Sequence, residues 1–229
     1  MSAAQISPET FAFLKKLAKN NNRDWFNKNK ETYIHAHENV IAFADMLLAE
    51  MRKHDNIETA SGKNALMRIY RDTRFSKDKT PYKIHFAGGF KRATKKLRGG
   101  YYFSISPGNT LVAGGFYGPE PNDLALIRQD IDYNYKDWKK LLANKKLKGT
   151  FSELVGEKVN SAPRGYAKDH PAIEILKHKQ FFFVKKFTDA QVLKPGFYKE
   201  MNKAFKDLRV FFDYMSEVLG SNSNGEADQ

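Results

Sequence analysis

The sequence predicts an α+β fold: an antiparallel β-meander packed with N-terminal and C-terminal helices. Amphipathic helical stretches open and close the chain, and short, aromatic-rich segments bounded by Gly or Pro lie between them. No regular strand–helix alternation runs through the sequence, which sets it apart from a doubly wound α/β protein.

Taken in order, Ser7-Pro8-Glu9 reads as a helix start, with a serine cap, proline at the first position and an acid in the first turn. Phe11, Leu14, Leu17 and Ala18 then share one face, and Asn20-Asn21-Asn22 ends the helix. Arg23 to Asn29 reads as a turn with Trp25 and Phe26 tucked inward. A longer helix is expected over 31–54. Its apolar stripe holds Ile34, Ile41, Leu48 and Met51, with Val40, Phe43 and Leu47 beside them.

Strands are expected at 65–72, 83–90, 101–106 and 110–116, with Pro107-Gly108-Asn109 as a hairpin loop. Gly88-Gly89 and Gly114-Gly115 sit inside strand patterns and suggest bulges or a close backbone approach. A basic connection, Lys91 to Arg98, separates two of the strands. Helices follow at about 122–133 and 135–144, a short one after Asp169-His170-Pro171, a strand at 179–187, and a final helix at 197–219. One domain is expected over 1–219, with a helical part at 7–54, a strand-rich part at 65–117 and a helical or mixed part at 122–219. A disordered tail is expected at 220–229.

With 41% hydrophobic and 14% aromatic residues, the 229-residue chain has the material for a packed core. Its formal charge of +13 favours polyanionic partners or anionic substrates, or else a solvated lysine-rich surface. The absence of cysteine excludes disulfides, thiolate nucleophiles and Cys-bound metal. No secretory signal and no apolar run of the ~18 residues a membrane span needs is present, so a cytoplasmic location is expected.

The segment Arg68 to Lys83 (RIYRDTRFSKDKTPYK) concentrates the chemistry. Arg68, Arg71, Arg74, Lys77, Lys79 and Lys83 face only two acids, Asp72 and Asp78, with Tyr70, Phe75 and Tyr82 interleaved. Cations this dense repel one another unless carboxylates or a bound anion hold them, and arginine is the side chain best shaped to grip a carboxylate or phosphate. As a strand, 66–72 would turn Met67, Ile69 and Arg71 to the core, so that Arg71 needs Asp72, Asp78 or an external anion. The expected ligand-binding residues are Arg68, Arg71, Arg74, Lys79, Tyr82 and Lys83, joined by Arg128 and Arg164 from two other polar segments. Asp72, Asp78 and His170 are the candidate catalytic groups, His170 being alternatively a cap ahead of Pro171. A lattice of Arg–Asp pairs that locks a loop is the competing reading of the motif.

The motif is similar to the signature of a bacterial and fungal family of conserved hypothetical proteins, domain-of-unknown-function family 2461. FLKKLAKNNNRDWFNKNKETY near the N-terminus, AGGFYGPEP ahead of the helix bearing Arg128, and RGYAKDHPAIEILKHK also resemble the family's pattern. The resemblance implies where a site lies and no chemistry.

No cofactor and no metal is expected. His35 and His37 lie two apart on a helix, and Asp130 and Asp132 share that problem. His54, His85 and His178 stand alone, and no P-loop, dinucleotide fingerprint or serine elbow occurs. Basic clusters at 91–98, 136–148 and 177–186 leave nucleic-acid binding as the alternative to a small anionic ligand.

Overall fold

The computed structural model describes residues 5–220, so the expected tail lies outside the described residues except for Gly220, the last residue of the final helix. The fold is α+β, with a four-stranded antiparallel sheet in the order β1-β2-β3-β4. The chain divides into two compact units. The first comprises Met1–Lys91, Tyr102–Val112 and Lys186–Ala204, and the second Arg92–Tyr101, Ala113–Lys185 and Phe205–Gln229.

In the first unit, α1 (Pro8–Lys19) begins as expected, the Ser7 hydroxyl accepting the Thr10 N–H. The turn expected at 23–29 is instead a short helix, α2 (Arg23–Lys28), because Asn22 caps it at Trp25 N and Phe26 is buried beneath it. The long helix, α3 (Lys30–Met51), buries Ala36, Val40, Phe43, Ala44, Leu47, Leu48 and Met51. Ile34, assigned to that stripe, is exposed. Positions spaced by seven drift about 20° per step around a straight helix, so Ile34 rotates past Leu48, which is itself at the edge of a buried face centred near Val40 and Met51.

A one-turn helix, α4 (Gly62–Ala65), replaces the start of the strand expected at 65–72. The rest of that segment makes only isolated bridges, Leu66 to Gly88 and Tyr70 to Tyr82. Between them one arm advances four residues and the other six. Lys83 to Ala87 therefore bulges and breaks the ladder, which is why no continuous strand forms.

The meander is β1 (Phe86–Lys91), β2 (Gly100–Ile105) and β3 (Thr110–Phe116). A Cβ on Gly88 would meet the Phe103 ring at 2.7 Å and the Ala65 carbonyl at 2.8 Å, so the glycine there answers a close approach.

The second unit contains α5 (Pro121–Tyr133), α6 (Tyr135–Leu142), α7 (Lys145–Thr150) and α8 (Ile173–Leu176). β4 (Phe181–Phe187) and α10 (Phe197–Gly220) carry residues of both units, and α9 (Asp189–Val192) belongs to the first. The Trp138 indole and the Tyr214 hydroxyl both donate to Asp130 at 2.7 Å, a three-element tie around one carboxylate.

The basic connection behaves differently from a solvated run. Arg92 is 1% exposed. It donates to the Arg98 carbonyl at 2.9 Å, to Ser216 Oγ at 3.3 Å and to Asp213 Oδ1 at 2.8 Å, and its guanidinium lies over Phe212. Arg98 in turn pairs with Asp123.

Candidate functional site

The motif lies in the first unit as two arms closed by a loop. Lys83 N donates to Ile69 O at 2.7 Å and Arg71 N to Pro81 O at 2.9 Å. Asn21, just past α1, fixes the second arm. Its side chain donates to Tyr82 O at 2.9 Å and accepts Tyr82 N–H at 3.1 Å, copying a backbone pair. Beneath, the Phe26 and Tyr82 rings stack at 4.0 Å and Tyr70 leans on Tyr82 at 5.4 Å.

The loop from Asp72 to Thr80 satisfies most of its own charges. Arg71 Nη1 reaches Asp78 Oδ2 at 2.5 Å and the Thr80 carbonyl at 3.1 Å, and it also contacts the Thr80 hydroxyl. Arg74 grips Asp72 through two nitrogens, at 3.0 and 2.7 Å. Lys79 Nζ is spent on the Thr73 carbonyl at 3.0 Å and the Arg74 carbonyl at 3.5 Å.

The loop's N–H and hydroxyl donors favour the ionised acids. The Thr80 backbone N–H, then its hydroxyl, then Arg71 bring Asp78 down to about 2. The Arg74 side chain and N–H lower Asp72. Both carboxyls are thus moved away from the neutral range in which a general base works best.

Three cations of the motif are left over. Arg68, Lys77 and Lys83 make no side-chain hydrogen bond or ion pair among the described residues. Arg68 and Lys77 are exposed, whereas Lys83 is half-buried. Burial, then the charge of Arg68, pushes the Lys83 ammonium below its ordinary value. His85, two residues on and inside the bulge, is also half-buried and unbonded, and burial followed by the Lys83 charge lowers it. In the same motif, Tyr70 is 53% exposed and Phe75, at the loop tip, 96%.

The other expected site residues belong to the second unit. Arg128 donates to the carbonyls of Leu176 at 3.1 Å and His178 at 3.4 Å, and burial lowers it. Arg164 is exposed and makes no ion pair among the described residues. His170 accepts the Ala172 N–H at Nδ1, 3.0 Å, so its proton sits on Nε2 and is shared with Asp132 at 2.9 Å. With both ring nitrogens engaged, it braces the turn that leads into α8, whose N-cap is Ala172 and carries no side-chain cap bond.

With this geometry in place, the comparison with family models is direct: a model described as Conserved hypothetical protein (DUF2461) matches residues 9–214. The chain belongs to that family. No curated protein and no solved structure matches it. In this DUF2461 member no group of three His, Asp or Glu able to hold a metal occurs among the described residues. Nor is any helix among them long and apolar enough to cross a membrane.

Two contributors escaped the sequence reading. Asn21 looked like a helix terminator, and only its distance of 61 residues from Tyr82 hid the pairing. His85 looked isolated, although its spacing from Lys83 in a segment without acids was a usable signal.

Proposed function

We propose that this protein binds a phosphate- or carboxylate-bearing molecule through Arg68 and Lys83, with His85 beside them. The observation that carries the reading is the division of the motif. Arg71, Arg74 and Lys79 are spent on internal hydrogen bonds and ion pairs, whereas Arg68, Lys83 and His85 make none among the described residues. Burial, then neighbouring positive charge, disfavours protonation of Lys83 and His85. A half-buried cation without an acid is costly, and an external anion removes the cost. Arg71 and Arg74, the clamp expected from sequence, serve in this reading as the lock that shapes the loop around the anion.

Broad nucleic-acid binding through dispersed lysines draws less support. Lys91 pairs with Glu58, Lys140 with Asp137, Lys177 with Glu174 and Lys179 with Glu157, and Arg92 is buried.

An anion at this place raises the depressed Lys83 and His85, so binding takes up protons and strengthens as pH falls through the histidine range. Calorimetry with sulfate, whose charge is constant there, between about pH 8 and about pH 6 tests it. The expected result is saturable binding, tighter at the lower pH and weakened about tenfold or more by Lys83→Met. Absence of saturable binding by sulfate and by phosphate would overturn the reading.

A further inference from the structure

We infer that the anion bound at this motif also carries a flat aromatic ring, which makes the ligand class a nucleotide, free or as a unit of a single strand. The inference rests on the anion reading above and adds the second half of the ligand. Three rings form a cluster: Phe26 and Tyr82 lie 13° from parallel at 4.0 Å, and Tyr70 is tilted against both, at 49° and 5.4 Å from Tyr82 and 55° and 6.3 Å from Phe26. Phe26 and Tyr82 are buried, while Tyr70 is 53% exposed, and its hydroxyl makes no hydrogen bond among the described residues. Tyr70 is therefore a ring braced edge-on by two buried rings and open to solvent, and an exposed aromatic face of this kind can take a stacked base.

A second ring supports the same chemistry. Phe75 is 96% exposed, with the Arg74 guanidinium 5.8 Å from its centroid. Arg74 is gripped by Asp72, and Arg71 ties the far side of the loop to Asp78. A phenylalanine set at the tip of a loop tied at both sides is presented rather than stranded. An uncharged apolar partner would also favour these rings, but it leaves Arg68 and Lys83 unmatched; a nucleotide answers both.

The test compares adenosine monophosphate, ribose 5-phosphate and an oligothymidylate on the full chain and on Tyr70→Ala, by calorimetry. Adenosine monophosphate is expected to bind about tenfold or more tightly than ribose 5-phosphate, and Tyr70→Ala to erase that advantage while leaving ribose 5-phosphate unchanged. Tyr70→Phe, which keeps the ring, retains it. An oligothymidylate much tighter than its mononucleotide points to a strand as the source, and equal affinities to a free nucleotide. Equal binding of adenosine monophosphate and ribose 5-phosphate, insensitive to Tyr70→Ala, would sink the ring while leaving the anion reading intact. Failure of both compounds and of sulfate to bind would remove the anion reading itself.

Discussion

Arg71 and Arg92 are both arginines paired with an aspartate, yet they occupy opposite kinds of place. The Arg71 side chain keeps a quarter of its surface in water, and its partner Asp78 more than half. The Arg92 side chain keeps none, and it is ringed by a carbonyl, a hydroxyl, a carboxylate and an aromatic face. An exposed pair is screened and contributes shape more than stability. A buried arginine cannot be removed without a void and a lost donor, even where its partner, like Asp213, is half-exposed and also held by a second arginine, Arg209. The difference explains how an arginine-rich motif can lock its loop cheaply and still leave neighbouring cations for a ligand.

The largest break in this comparison comes from Arg92→Ala. It removes a fully buried side chain and the donors that meet Asp213, Ser216 and the Arg98 carbonyl. A loss of about 3 kcal/mol or more in denaturant unfolding is expected. A loss below about 1 kcal/mol would show that the burial does not carry the energy assigned to it.

The smaller effect sharpens the exposed side. Asp78 is brought to about 2 from the ordinary 3.8 of an aspartate. A depressed carboxyl contributes its pairing above the ordinary value and loses it as pH falls toward the depressed one. The loop lock is therefore complete above about pH 4 and released only in strong acid. Carboxyl-detected NMR should place the Asp78 midpoint near 2, and a midpoint near 3.8 would mean the Thr80 and Arg71 contacts do not persist in solution.

What was legible in the sequence followed from local rules. α1 is readable because Ser7 and Pro8 mark its start, and α10 because Met201, Phe205, Leu208, Phe212, Met215 and Leu219 repeat along one face. The hairpin at Pro107-Gly108-Asn109 is readable from its turn residues. The strand expected at 65–72 failed because alternation reports which side chains want burial, not whether a partner keeps register across a bulge. Arg92 was unreadable for another reason: its segment holds five cations and no acid, and its acid lies 121 residues away. Within the motif the residues of the site were visible, but not their division into paired and unpaired, which depends on which carboxylate each arginine reaches.

That division is best tested by one paired measurement: sulfate affinity by calorimetry in Arg68→Ala and in Arg74→Ala, both exposed. The account expects Arg68→Ala to weaken binding about tenfold or more, and Arg74→Ala to change it about twofold at most. The reverse order, or equal losses, would contradict the claim that the cations without partners are the ones that bind.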